Sequence, residues 1–216
     1  MRIIKGKLKP VVITISVLFA SSILALIGYH YGINAETPYK MFKYTFDGQS
    51  YEGTYVDFLV TAMEWLRDET PSDATVLCWW DYGHMVRGLA ERPTVVYLPS
   101  KEIRHSIADP TGITSYHDHS LIIDVCKALL TDDPLSCIDF MNQHDASYLL
   151  VVSEDSVKMG WMASFLDIDP SLLITEGEAT KAGRETLIYQ ALNNEVLTGF
   201  EKLYSDNATV IYKIKR

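Results

Sequence analysis

The segment from Ala74 to Ala90 constrains this chain more than any other. Ala74-Thr75-Val76-Leu77-Cys78 is an apolar, β-rich run that reads as a buried strand. Trp79-Trp80-Asp81-Tyr82-Gly83-His84 follows it, and Met85 to Ala90 resumes at helical spacing. A strand running directly into a helix points to an α/β sheet, where such junctions commonly form binding sites. The whole chain carries only four tryptophans. Two of them side by side, just before an aspartate at that junction, are improbable by chance.

Each indole N–H donates one hydrogen bond, whereas an ionised carboxylate only accepts. Trp79, Trp80 and Asp81 together therefore suit a group that both accepts and donates, of which a hydroxyl is the smallest. A pocket of this kind would reject a ligand lacking the hydroxyl by about 10⁴-fold or more, because its polar atoms would be left unpaired. The plainer reading makes Trp79 and Trp80 core aromatics and Asp81 a cap for the next helix. Composition alone does not choose between them.

A second stretch, Ser153-Glu154-Asp155-Ser156-Val157-Lys158-Met159-Gly160-Trp161-Met162, follows a buried strand at Ser147 to Val152. Read as a helix capped by Ser153, it puts Asp155, Lys158 and Met162 on one face. An Asp–Lys pair at that spacing is ordinarily a solvated surface pair worth about 0.3–0.5 kcal/mol.

These two stretches resemble one family. Trp79-Trp80-Asp81-Tyr82-Gly83 looks like the signature pentapeptide of the oligosaccharyltransferase catalytic subunit, the enzyme of asparagine-linked glycosylation. The flanks Trp65-Leu66-Arg67-Asp68-Glu69-Thr70-Pro71, Arg92-Pro93 and Pro99-Ser100-Lys101-Glu102-Ile103 are similar to archaeal members. Asp155-x-x-Lys158-x-x-x-Met162 matches the family's second soluble-domain motif. The resemblance covers about residues 50 to 165. It implies that Trp79, Trp80, Asp81, Lys158 and Met162 bind the Ser or Thr hydroxyl of an acceptor Asn-x-Ser/Thr segment. Tyr82, Gly83 and Asp155 would support them, with Met162 touching a threonine methyl. It also implies that a complete enzyme uses a divalent cation, Mg or Mn, and a multi-span groove for a lipid-linked sugar. Neither the acidic membrane-side motifs nor such a groove can be placed on this sequence. No catalytic or metal-binding residue is therefore assigned, and the chain alone is not expected to transfer a glycan. The expected partners are an acceptor polypeptide, the lipid bilayer and a separate multi-span subunit. The alternative is a membrane-anchored peptide-binding or accessory module without a transferase role.

The expected architecture is one N-terminal transmembrane helix followed by a single mixed α/β extracytoplasmic domain. Residues 1–10 hold Arg2, Lys5, Lys7 and Lys9 with no acid, and Val11 to Gly28 carry no charge. Tyr29 to Tyr31 close that run like an interfacial belt. This predicts a cytoplasmic leader (1–10), a span (11–31), a polar linker (32–52) and a domain (53–216) outside the cell membrane. A signal peptide cut after Ala35 is the rival, but its apolar core would be long. Without the four leader cations, 15 Lys and Arg face 28 Asp and Glu, a balance of −13. So acidic a domain argues against nucleic acid.

Within the domain, helices are expected at Tyr55 to Leu66, Ser120 to Leu130 (capped by Asp118) and Pro134 to Asn142. Strands are expected at Thr94 to Leu98, Thr186 to Leu192 and Thr209 to Ile214, and a loop with a short helix at residues 99–118. His117-Asp118-His119 has poor spacing for a metal site on a helix. Cys78, Cys126 and Cys137 show no disulfide framework. Asn207-Ala208-Thr209 is itself a sequon.

Overall fold

A computed structural model describes residues 39–103, 115–193 and 196–215. The expected leader and span (1–31) lie outside these residues. Among the described residues, no helix is long and apolar enough to cross a membrane.

The compact unit begins at Tyr39. Strands β1 (Tyr39–Phe46) and β2 (Gln49–Val56) form an antiparallel hairpin in the region read from sequence as a linker. Its turn uses Asp47 and Gly48, both at positive φ. Phe42, Tyr44, Phe46, Tyr51 and Tyr55 are the hairpin's packing residues, and Tyr44 and Val56 are buried. The expected helix at Tyr55 starts later for that reason: a 3₁₀ turn at Asp57–Leu59 leads into α1 (Val60–Glu69). Ala62, Met63 and Leu66 form its buried stripe.

The central sheet holds β3 (Thr75–Leu77), β4 (Ala146–Val152), β8 (Thr209–Ile214) and β7 (Phe200–Ser205) in that spatial order. β3 runs parallel to β4, and β4–β8 and β8–β7 are antiparallel. β4 is buried along almost its whole length, as a continuous Leu-Leu-Val-Val run in a strand covered on both faces should be. β7 alternates buried and exposed, as expected of an edge strand with one face in water. Between β3 and β4 lie α2 (Trp80–Gly88), α3 (His119–Leu130) and α4 (Pro134–Gln143). Aspartates cap the last two, Asp118 as expected and Asp133, which was not singled out from the sequence. Asp118 accepts from the Ser120 N–H, and Asp133 accepts from the Leu135 N–H ahead of Pro134. After β4 come α5 (Asp155–Phe165), a small β5–β6 ribbon (Ile174–Thr175, Glu178–Ala179), α6 (Lys181–Glu185) and α7 (Leu187–Asn193).

Two expected strands are corrected. Thr94 to Leu98 makes one parallel bridge, Val76 to Thr94, and is otherwise irregular. Thr186 to Leu192 is helical. Its buried positions Leu187, Ile188 and Ala191 repeat at helical spacing, and the buried Thr186 hydroxyl accepts from the Tyr189 N–H at the helix start. All three cysteines are free and buried.

Candidate functional site

Because β3 and β4 are adjacent and parallel, their C-terminal ends lie side by side. The helices leaving those ends, α2 and α5, therefore start next to each other, and the two sequence motifs meet there. Gly83 allows α2 to lie close to the following segment, since a methyl at this position would overlap the Val96 carbonyl oxygen and Tyr97 Cα.

Lys158 Nζ is 2.9 Å from Asp81 Oδ2 and 3.4 Å from Glu154 Oε2. It also donates to the Tyr82 hydroxyl at 2.9 Å and stands 4.5 Å from the centre of that ring. The Lys158 and Asp81 side chains are 21% and 27% exposed, which leaves the pair partly open to solvent. Burial pushes the Asp81 carboxyl up from its ordinary range, while Lys158 and a hydrogen bond from Trp79 pull it back down.

Lys158 therefore pairs across helices, rather than with Asp155 on its own. Asp155 is buried, and its Oδ2 accepts from the Val152 N–H at 2.9 Å, tying the start of α5 to the end of β4. Its Oδ1 has no partner. Burial raises this carboxyl to about 7, against the Val152 N–H and Lys158, which lower it. The helix begins after Glu154 with no side-chain cap, so Ser153 does not cap it. The Ser153 carbonyl accepts from the Ser156 N–H instead. Glu154 was not singled out from the sequence, although Glu four residues before Lys is a helix-pairing signal.

The tryptophans divide. Trp79 is 3% exposed, with its ring stacked on Phe165 at 6.2 Å and its indole engaged with Asp81. Trp80 is half-buried, and its indole N–H has no hydrogen-bond partner. Asp81 lies in the first turn of α2, where a negative charge is favoured, and Trp79 occupies the cap position without a side-chain cap bond. Met162 has no exposed surface and belongs to the core. The contacts thus unite Asp81, Tyr82, Glu154 and Lys158 at one place, while the Trp80 ring stands 5.9 Å from that of Trp79, and Trp79 and Met162 are buried.

His117 and His119 are held by the protein. His117 Nε2 accepts from the Tyr97 N–H at 3.0 Å, and His119 Nδ1 is 2.7 Å from the Ser100 hydroxyl. Among the described residues, no group of three or more His, Cys, Asp or Glu is placed to hold a metal ion. These residues do not fit the divalent cation that the resemblance implies.

No family model matches the sequence. The chain is 27% identical over 157 residues to the dolichyl-diphosphooligosaccharide–protein glycosyltransferase subunit stt3 of Schizosaccharomyces pombe, covering 63% of this chain and 19% of that protein. It is 25% identical over 171 residues to the corresponding Saccharomyces cerevisiae subunit, covering 73% and 21%. It therefore spans about a fifth of these curated relatives. Among solved structures, the C-terminal globular domain of oligosaccharyltransferase from Archaeoglobus fulgidus superposes with a TM-score of 0.57 at 18% identity, over 74% of this chain and 99% of that one. An Archaeoglobus fulgidus oligosaccharyltransferase tethered to an acceptor peptide gives 0.51 at 12% identity, over 70% and 24%. In sequence the chain is similar to the stt3 subunits of this glycosyltransferase, and its fold is that of the C-terminal globular domain of oligosaccharyltransferase.

Proposed function

We propose that this chain recognises the Ser or Thr of an acceptor Asn-x-Ser/Thr segment at the junction of α2 and α5. The observation that carries the reading is a buried Trp80 indole N–H without a hydrogen-bond partner, on the residue next to a carboxylate locked in place by Lys158. A peptide hydroxyl accepts from that donor and gives its own proton to Asp81. Burial raises the Asp81 carboxyl, and Lys158 works against that rise in favour of the charged, accepting form. The Trp80 N–H is closed over in the free protein, so peptide entry requires a shift of that ring. Trp79 and Met162 shape the floor from below, and Tyr82, Gly83 and Asp155 fix the two helices against each other.

Sequence similarity to the stt3 subunits and the fold shared with a peptide-tethered oligosaccharyltransferase support this reading. Glycan transfer from a lipid carrier then belongs to a larger assembly with a multi-span catalytic portion at a cell membrane, and this domain presents the acceptor to it. Calorimetry of the full chain with Asn-x-Thr and Asn-x-Ala peptides tests the pocket. Preference for the threonine peptide is expected, and equal binding or equal failure to bind would refute hydroxyl recognition.

A further inference from the structure

The guanidinium of Arg87, on the C-terminal half of α2, has no carboxylate partner among the ion pairs of the described residues. It is buried, and its Nη1 finds no hydrogen-bond partner. It lies 3.7 Å from the centre of the Tyr97 ring, 4.3 Å from that of Tyr51 and 4.4 Å from that of Phe46. Phe46 and Tyr51 belong to the hairpin, so this cage is a clasp between β1–β2 and α2. Aromatic faces attract a cation, and more strongly when both are withdrawn from water. Two glycines let the clasp close. A methyl on Gly53 would come within 2.7 Å of His84 Cβ, and one on Gly88 would overlap the Phe42 ring.

Two histidines border the cage, and His117 hydrogen-bonds as a neutral ring. His117 Nε2 faces the Tyr97 backbone N–H, which can only donate, so that nitrogen must be an unprotonated acceptor. Its ring meets Tyr97 edge-on at 4.7 Å, beside the Arg87 stack. His84 Nδ1 is 2.8 Å from the Tyr44 hydroxyl of β1, and its ring lies 5.7 Å from that of Tyr97. A proton on His117 Nε2 puts two donors face to face. A proton on either ring adds a second positive charge beside a guanidinium that has no counter-ion among the described residues.

We propose that the β1–β2 hairpin is an acid-released cover, clasped to α2 by the Arg87 cage and let go when His84 and His117 take up protons. The groups facing the cage are Tyr44 and Tyr51 from the hairpin, His84 and Arg87 from α2, and Tyr97 and His117 from the segment between α2 and α3. The hairpin's own charges, Lys43 with Glu52 and Lys40 with Asp57, pair with each other on exposed positions. Burial and the Arg87 charge hold both imidazoles below their ordinary range, His84 at about 4. The sign follows from linkage. Neutral rings cost nothing above about pH 6.5, and the clasp weakens as pH falls from there toward 4, because the released form binds protons that the clasped form refuses.

Hydrogen exchange of the full chain, read by mass spectrometry and corrected for intrinsic rates, tests this. Between pH 7.5 and 4.5, the opening equilibrium of residues 39–56 should rise at least ~10-fold. Protection of β4 and β8 should stay unchanged. His84→Gln with His117→Gln should abolish most of that rise. The proposal is overturned if the hairpin stays equally protected, if hairpin and sheet open together, or if a folded double variant keeps the full acid response. The wild-type measurement decides by itself should the variant not fold.

Discussion

Lys158 on α5 lies 2.9 Å from Asp81 on α2, and this contact joins the two motifs into one site. Each helix leaves the C-terminal end of one of two neighbouring parallel strands, so the pairing of β3 with β4 creates the contact. Lys158→Met should cost about 1–3 kcal/mol in urea unfolding, because Asp81 loses its cation and Tyr82 a donor. A double-mutant cycle with Asp81→Asn should return a coupling energy of about 1 kcal/mol or more, well above that of an exposed pair.

Trp80→Phe removes a donor that has no partner in the free protein. Stability should change by less than about 1 kcal/mol, or rise slightly, since a buried unsatisfied group is deleted. Affinity for an Asn-x-Thr peptide should fall by roughly 3–10-fold, the worth of one hydrogen bond. Thermal unfolding and calorimetry of the same variant separate the two effects.

The Asp155 carboxyl, raised to about 7 by burial, makes a prediction of opposite sign to the usual carboxylate. The folded state holds this proton up to about pH 7, whereas the unfolded state loses it near pH 4. Stability is therefore greatest below the unfolded value and falls as pH rises toward 7, with a slope approaching ~1.4 kcal/mol per pH unit for one proton. Asp155→Asn, which keeps an acceptor for the Val152 N–H, should flatten that slope in denaturant titrations between pH 4 and 7.

Arg92 is buried and spends its guanidinium on the backbone. It donates to the carbonyls of Arg67, Thr70, Ala90 and Glu91 and to the Thr70 hydroxyl. It thus seals the C-terminal end of α1 against the loop after α2. Arg92→Ala should destabilise by about 3 kcal/mol or more, because several buried acceptors lose their donor together. Arg92→Lys should recover only part of this, since an ammonium cannot reproduce the planar fork. Chemical denaturation of both variants checks the order.

The sequence by itself determined the strand-to-helix junction at Trp79, the buried β4 run and the cap at Asp118. These are local matters of periodicity, capping chemistry and residue type, and they survive any tertiary arrangement. Only the folded chain decided that Lys158 reaches Asp81 instead of Asp155, because that choice depends on which strands are neighbours. It decided that Trp79 and Met162 are buried, since motif spacing says nothing of depth. It also turned an apparent linker into a hairpin. Tyr, Phe and Gly in a polar stretch carry little periodic signal until Arg87 and the α2 surface supply something for those rings to cover.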